Sequence, residues 1–214
     1  MRRALISVTE KTKLGDLGRG LVNLGFELVS TGGTATKLRE FGLVVTDVAE
    51  VTKFPEMLDG RVKTLHPNIF AGILARPDVV SDMMAVLNHH IELFEVVVVN
   101  LYAFEEKAKD ESLSFDELVE HIDIGGPSLI RAAAKNWRHV YVVTDPDDYT
   151  ELLEVLRSGN HNEGMKYRYF LMCTAFQRTA DYDGTISLEI SARSTINAGG
   201  EVTRNPRRRG RFVR

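Results

Sequence analysis

Short apolar runs alternate with helical periodicity along the first two thirds of the chain. Apolar runs typical of buried strands occupy residues 4–8, 26–29, 44–48, 95–101 and 139–144, and one of them contains four consecutive valines. Runs that are apolar on both faces and are separated by helices indicate a parallel sheet covered on both sides. We therefore predict an α/β fold with three layers (αβα) around a mainly parallel central sheet.

Helical periodicity appears between these runs and again after them. Leu14, Leu17 and Leu21 form an apolar stripe, and the pattern favours Thr9 as the cap of that helix. Residues 149–156 and 162–190 predict C-terminal helices, the second interrupted at Gly184. Cys173 falls on the predicted buried side of this second helix.

The last stretch of the chain has a different composition. Residues 191–214 contain six arginines from Arg204 onward and few apolar groups. We therefore predict one domain over residues 1–190, followed by an arginine-rich, disordered or loosely attached tail over residues 191–214. A nucleic-acid-binding arm is the alternative interpretation of the tail.

Charge and cysteine content narrow the class of protein. A net charge of −3 gives no electrostatic signature of nucleic-acid or membrane binding. The single cysteine cannot form an internal disulfide, which favours a cytoplasmic protein. No apolar run approaches the ~20 residues of a membrane helix, and the apolar start of the chain is too short for a signal peptide. We predict a cytoplasmic protein with neither nucleic-acid nor membrane partners.

Polar clusters follow the predicted strands. In a parallel sheet, ligands bind at the carboxyl ends of the strands. Residues 7–11, the turn Thr31-Gly32-Gly33-Thr34 and residues 100–102 all occupy such positions. Paired glycines before a helix let backbone N–H groups approach an anion, so the turn predicts a phosphate site. A tight turn that requires glycine for its conformation is the alternative.

Two further segments concentrate chemically active groups. The loop GRVKTLHP, residues 60–67, carries a guanidinium, an ammonium, a hydroxyl and an imidazole, although His66 could simply bond the loop backbone. IDIGGPSLIRAAAKN, residues 122–136, predicts a helix beginning near Gly126. Asp123 next to its start and Lys135 in its last turn could each simply complement the helix dipole.

Cofactor signatures are missing from the sequence. His89 and His90 lack carboxylate or cysteine partners at metal-ligand spacing, and neither a Walker loop nor a GxGxxG fingerprint occurs. We therefore expect neither a metal nor a cofactor.

The motifs together resemble a known enzyme family. ISVTEKT, FELVSTGGTATKLRE, VTKFPEMLDG, GRVKTLHP, FAGILAR, VVNLYAF, IDIGGPSLIRAAAKN and TAFQRTADYDGTIS occur in order over residues 4–187. They are similar to the IMP cyclohydrolase domain of the bifunctional AICAR transformylase/IMP cyclohydrolase family. The resemblance implies a methylglyoxal-synthase-like fold, which agrees with the predicted sheet.

The resemblance also implies an activity and its residues. The implied activity is the dehydrative ring closure of FAICAR (5-formamidoimidazole-4-carboxamide ribotide) to IMP, the last step of de novo purine biosynthesis. Asp123 matches an acid/base carboxylate and Lys135 a proton-transfer lysine, while Lys63 and Tyr102 match residues that position the reacting groups. The implied substrate contacts, with Ser7 as a further phosphate contact, are Ser7, Thr9, Glu10, Lys11, Thr31, Gly32, Gly33, Thr34, Arg61, Val62, Thr64, Asn100, Leu101, Ile124, Gly125 and Gly126.

Partners follow from the same resemblance. The family pattern fades after about Ser187, and nothing after it resembles a transformylase domain. We therefore expect no AICAR formyltransferase activity from this chain. A separate enzyme would then carry out that step. The chain is either a free-standing cyclohydrolase or a fragment or altered reading frame. Asp123 precedes the predicted helix, whereas Lys135 lies in its last turn. Either this helix bends sharply or a neighbouring subunit supplies the lysine, and we predict the second arrangement, in a homodimer.

Two rival functions share the implied fold. One is a methylglyoxal-synthase-like lyase, and the other is a non-catalytic, nucleotide-sensing regulatory domain. Both would use the Thr31–Thr34 turn for phosphate, but neither accounts for residues 60–67 together with residues 122–136.

Overall fold

The helices and strands belong to two compact units. The computed structural model describes residues 2–101, 104–110, 112–193, 195–196 and 202–203. The larger unit comprises Met1–Leu101 with Ile124–Arg178, and the smaller one comprises Tyr102–Asp123 with Thr179–Arg214.

A five-stranded parallel sheet forms the centre of the larger unit. Its strands run in the order β3-β2-β1-β4-β5, and every neighbouring pair is parallel. All five predicted strands are confirmed, with ends that differ by a few residues. The strands are β1 (Arg2–Ser7), β2 (Phe26–Ser30), β3 (Val45–Asp47), β4 (Phe94–Val99) and β5 (Tyr141–Val143).

Helices cover both faces of this sheet. The helices of both units, within the described residues and in chain order, are α1 (Leu14–Asn23), α2 (Gly32–Glu40), α3 (Val48–Thr52), α4 (Pro67–Leu74), α5 (Val80–Asn88), α6 (Phe104–Ala108), α7 (Phe115–Glu120), α8 (Gly125–Lys135), α9 (Tyr149–Ser158) and α10 (His161–Arg193). In the larger unit, α1 packs against α2 and α9, whereas α4 packs against α3 and α8. The predicted three-layer αβα architecture with C-terminal helices is therefore confirmed.

The core explains why the strands form where they do. Ala4, Leu5 and Ile6 of β1 and the run Val96–Val99 of β4 are almost completely buried, because helices lie on both sides of them. Consecutive β-branched side chains suit a strand that is covered on both faces. The small side chains of Ala132, Ala133 and Ala134 let α8 approach β4 and β5.

The smaller unit contains α6, α7, the end of α10 and two short strands. A capping box between Ser114 and Glu117 starts α7, and the Phe104 ring meets the Tyr182 ring edge-on. Strands β6 (Thr195–Ile196) and β7 (Val202–Thr203) pair in antiparallel fashion. They fall within the predicted tail, most of which lies outside the described residues, so the order of that segment stays a prediction.

Three local predictions are wrong. Thr9 does not cap α1, which begins five residues later, after Lys13 in a left-handed conformation. Gly184 does not interrupt α10, which runs without a break to Arg193. Cys173 is exposed, because Leu171 and Ala175 form the buried face there and a residue two positions from each points away from it.

The described residues contain neither a candidate membrane-spanning helix nor a candidate metal-ligand cluster. Within them, no helix combines the length and the apolar character that crossing a membrane requires. No group of three or more histidine, cysteine or acidic side chains in the same residues is arranged to hold a metal ion.

Candidate active site

The strand order identifies the place where a ligand would bind. From β1 the sheet grows through β2 to β3 on one side, and through β4 to β5 on the other. The direction in which strands are added thus reverses at β1. Open α/β sheets bind ligands at such a reversal, in the crevice at the carboxyl ends of the strands. Ser7 ends β1 and pairs with Val99, which ends β4, so the loops after both strands begin side by side.

Asn100 joins these two loops. Its side-chain oxygen accepts hydrogen bonds from the backbone N–H groups of Thr9, at 2.5 Å, and Glu10, at 3.1 Å. Its amide nitrogen donates in return to the Glu10 carbonyl at 3.3 Å. An asparagine at the end of β4 therefore fixes the backbone that follows β1.

Thr34 fixes the same loop from the side of α2. Its hydroxyl donates to the Val8 carbonyl at 2.8 Å and accepts from the Val8 N–H at 3.1 Å. The Lys11 ammonium donates to the carbonyls of Val8 and Thr9 and approaches the Thr34 hydroxyl. Burial lowers the pKa of Lys11 below the usual 10.5. The loop after β1 thus holds a partly desolvated cation beside α2.

The turn Thr31–Thr34 forms the beginning of α2. Gly32 has φ +55°, a left-handed conformation in which glycine is favoured, so the turn itself explains this glycine. A Cβ at Gly33 would meet nothing within 4 Å, which leaves open space over the turn. The first N–H groups of a helix have no partner within the helix, so those of Gly32, Gly33 and Thr34 are suited to an anion.

Lys63 brings the loop of residues 60–64 to this turn. Its Nζ lies 4.0 Å from the position that a Cβ on Gly32 would occupy. Backbone hydrogen bonds in both directions between Met57 and Val62 hold the loop as a short hairpin around a 3₁₀ turn, Leu58–Gly60. Arg61 and Lys63 are exposed, whereas Thr64 is buried.

His66 has a structural role. It caps α4, and its Nδ1 accepts a hydrogen bond from the Asn68 N–H at 3.1 Å. The interpretation of this histidine as a residue that bonds the loop backbone is therefore confirmed.

The start of α8 belongs to the same edge of the sheet. Helix α8 leads directly into β5, so it runs antiparallel to the strands, and its N-terminus with Gly125 and Gly126 faces the carboxyl ends. Ile124 is the N-cap and makes no side-chain capping bond. Asp123 belongs to the smaller unit, where its N–H donates to the Tyr182 hydroxyl at 2.7 Å. Tyr102 lies outside the described residues.

The structure places Lys135 away from the other predicted site residues of the larger unit. It is the last residue of the 11-residue helix α8, about 15 Å from the first at ~1.5 Å per residue. The neighbouring Asn136 is buried and donates to the carbonyls of Ile73, at 2.7 Å, and Ala75, at 2.9 Å. These bonds attach the end of α8 to the end of α4, at the amino edge of the sheet.

Glu56 was missed by the sequence analysis. Its Oε1 lies 2.7 Å from the position that a Cβ on Gly60 would occupy, and the Lys63 Nζ lies 3.6 Å from the same position. The available signal was a glycine between two charged residues in a loop rich in chemically active groups. The sequence does not reveal the φ of +88° at Gly60, the residue that lies close to both the Glu56 carboxylate and the Lys63 ammonium.

The larger unit therefore presents an anion-binding arrangement. The Lys63 ammonium lies beside Gly32, the partly buried Lys11 ammonium lies beside Thr34, and the space over Gly33 is open. Such a set can hold a phosphate group and leave the remainder of its ligand near the loop after β4.

Comparisons with known proteins identify the family of the fold. Residues 13–128, more than half of the chain, match the model of the MGS-like domain, and residues 133–209 match that of the AICARFT/IMPCHase bienzyme. The second match extends beyond Ser187, where the sequence analysis has the resemblance fading. The crystal structure of ForH superposes with a TM-score of 0.76 and 32% identity, covering 88% of this chain and 97% of that one.

Curated relatives are longer than this chain. The bifunctional purine biosynthesis protein PurH of Cereibacter sphaeroides is 51% identical over 207 residues, 97% of this chain and 38% of the relative. PurH of Aquifex aeolicus is 48% identical over 212 residues, 99% of this chain and 41% of the relative. The chain thus spans about two fifths of these relatives. It belongs to the MGS-like domain family, and its residues 133–209 are similar to the AICARFT/IMPCHase bienzyme.

Proposed function

We propose that this chain catalyses the ring closure of FAICAR to IMP. The observation that carries the proposal is the position of Lys63 over the Gly32–Gly33 turn, at the sheet edge where Asn100 joins the loops after β1 and β4. Both FAICAR and IMP carry a phosphate that this arrangement can bind. The match of residues 133–209 to the AICARFT/IMPCHase bienzyme and the names of the PurH relatives support the purine pathway.

The chemistry of the reaction matches the residue types assigned by the resemblance. The carboxamide nitrogen attacks the formyl carbon, and the resulting carbinolamine loses water. Attack requires a base and stabilisation of charge on the formyl oxygen, and dehydration requires an acid. In the proposal Asp123 is the acid/base carboxylate, Lys63 and Tyr102 position the reacting groups, and Lys135 transfers a proton.

The position of Lys135 supports a shared site. A lysine side chain cannot span an 11-residue helix back to the loops at its start. In the proposal a homodimer brings the Lys135 of one subunit to the site of the other, in a C₂ arrangement. A cytoplasmic location and a separate source of FAICAR are further parts of the proposal.

The two rival functions use the same phosphate turn, and the MGS-like match over residues 13–128 fits all three. The match over residues 133–209 favours the cyclohydrolase, because that part belongs to the AICARFT/IMPCHase model. A methylglyoxal-synthase-like lyase would act on a triose phosphate instead of a nucleotide. A regulatory module would bind nucleotide without turning it over.

One assay separates these functions. The purified chain is mixed with FAICAR, and the absorbance of IMP is followed with and without a strong chelator. We expect IMP to form at the same rate in both, and no formylation of AICAR when a folate donor is added. Binding of IMP without turnover would instead favour the regulatory module, and release of phosphate from a triose phosphate would favour the lyase.

A further inference from the structure

The hairpin that carries Lys63 also carries an acidic side chain on the same side. Met57 and Val62 form an antiparallel bridge with a hydrogen bond in each direction. In an antiparallel pair, the residues on either side of a bridged pair face each other as well. Glu56 is therefore opposite Lys63, and both side chains extend over the 3₁₀ turn between them.

Gly60 lets these two side chains come together. A Cβ at this residue would lie 2.7 Å from the Glu56 Oε1, closer than real Cβ contacts, and 3.6 Å from the Lys63 Nζ. Both charged groups thus lie within 4 Å of one point, and the φ of +88° at Gly60 also favours glycine. The ammonium lies 4.0 Å from the position that a Cβ on Gly32 would occupy, whereas no Glu56 atom lies within 4 Å of that position.

Among the residues that the structure describes, neither group has a hydrogen bond or an ion pair with another side chain or backbone atom. By contrast, oppositely charged side chains elsewhere in the larger unit form salt bridges at normal distances, for example Arg2 and Glu95 at 2.7 Å. The Glu56 carboxylate therefore keeps its acceptor capacity at the edge of the phosphate site.

We propose that Glu56 binds the ribose hydroxyls of the nucleotide whose phosphate is held by the Gly32 turn and Lys63. The inference rests on the proposed function and adds a specificity-determining residue to it. A carboxylate next to a phosphate site repels the phosphate itself, but it is a strong acceptor for hydroxyl donors a few bonds away from that phosphate. Dinucleotide-binding folds use an acidic residue on ribose hydroxyls in the same way. The ligand class is thus a ribonucleotide 5′-phosphate, discriminated from its deoxy forms.

The test compares ligands that differ only in one hydroxyl. Dissociation constants for IMP, 2′-deoxy-IMP and 3′-deoxy-IMP are measured by calorimetry on the wild-type chain and on Glu56→Ala. All three ligands carry the same phosphate, so electrostatic changes at the phosphate site cancel in their ratio. For the wild-type chain we expect one deoxy form to bind about 10- to 150-fold more weakly than IMP. In Glu56→Ala this ratio should fall to near 1.

Two further variants complete the design. Glu56→Gln keeps the shape and offers a neutral acceptor, so its ratio should lie between those of the wild type and the alanine variant. If Glu56→Ala does not fold, the ratio measured for Glu56→Gln tests the proposal. Glu40→Ala removes the same charge from an exposed glutamate at the other end of α2 and should leave the ratio unchanged.

Failure of this inference differs from failure of the proposed function. If the wild-type chain does not bind IMP, the proposed function is overturned and the ribose site with it. If the chain binds IMP but Glu56 variants weaken IMP and both deoxy forms equally, only the ribose site is overturned. Equal weakening of this kind would mean that Glu56 acts on the loop or on Lys63.

Discussion

Lys11 serves both the fold and the candidate site. Its ammonium donates to the carbonyls of Val8 and Thr9, and burial lowers its pKa below 10.5. A phosphate gains from this cation only while it is protonated. The contribution to binding is therefore present below the pKa of Lys11 and is lost as the pH rises through it.

We predict that the affinity for IMP declines in the alkaline range at a lower pH than an ordinary lysine would cause. Lys11→Arg should move this decline upward, because a guanidinium stays charged. The measurement is the dissociation constant of IMP between about pH 7 and pH 10 for both proteins. The prediction is contradicted if the two profiles coincide.

The same pKa shift has the opposite sign for folding. Between the lowered pKa in the folded state and the usual value, the unfolded chain binds the proton more tightly. The lowered pKa of Lys11 therefore makes the free energy of unfolding rise with pH in that window, while the affinity for IMP falls. Urea unfolding without ligand therefore separates the two effects.

Lys63 and Asp123 should differ in their kinetic roles. Lys63→Ala removes a charged contact that forms in ground and transition states alike, so IMP should bind about 10- to 150-fold more weakly. Asp123→Asn keeps the shape but removes the base, so kcat should fall by a larger factor than the affinity for IMP does. Both assignments need steady-state kinetics and inhibitor binding on the same preparations. An asparagine variant with near-normal kcat would remove Asp123 from the acid/base role.

Residues at strand ends were predictable because their position depends on local pattern. Buried runs locate β1, β2 and β4, and Lys11, Thr34 and Asn100 then follow within a few residues. The role of Glu56 was not predictable, because it depends on a single positive φ at Gly60. The contact of Lys63 with the Gly32 turn was not predictable from pattern either, since it joins loops from different parts of the chain.

At the scale of elements, the two ends of α8 differ in how they are held. Its start follows Ile124 without a side-chain cap, whereas its end is held by Asn136 bonding the carbonyls of Ile73 and Ala75. Both carbonyls belong to the end of α4. A single buried amide thus joins two helices of the same layer.

We predict that Asn136→Ala lowers the free energy of unfolding by about 1–3 kcal/mol, because it leaves two carbonyls without their donor. Asn162→Ala, at an exposed residue of α10, is the control and should change it by less than about 0.5 kcal/mol. Urea unfolding of both variants gives the comparison. Equal stability of the two would show that water or a backbone shift replaces the lost bonds.

Element type was more predictable than the face that an element buries. The valine run of β4 allows no orientation in which one side is polar, so the strand and its burial follow together. In α10 the sequence around Cys173 is apolar at several spacings, and only the packing of Leu171 and Ala175 decides which side is covered. The helix start at Leu14 was missed because Lys13 adopts a left-handed conformation that no residue type there signals.

At the scale of the whole molecule, the proposed role of Lys135 places it in the site of a second chain. It ends α8 at the amino edge of the sheet, whereas the phosphate turn lies at the carboxyl edge. We predict that inactive Asp123→Asn and inactive Lys135→Ala chains regain activity when mixed under conditions of subunit exchange. Some mixed sites would then contain both wild-type groups.

The control for this experiment is exchange itself, followed with differently labelled chains. Each variant mixed with itself should stay inactive. If exchange is complete and no activity returns, or if the active species is a monomer, both residues must act within one chain. The homodimer prediction would then lose its main support.

The strand order also has a consequence for how the site comes into being. Strands β1, β2 and β3 pair with neighbours close along the chain, but the bond between Thr9 and Asn100 joins residues 91 positions apart. Closing so long a segment is slow compared with local pairing. We therefore expect the crevice to be completed late in folding, when β4 docks beside β1. A nucleotide that binds there stabilises only chains whose sheet is already assembled, so substrate favours finished molecules over partly folded ones.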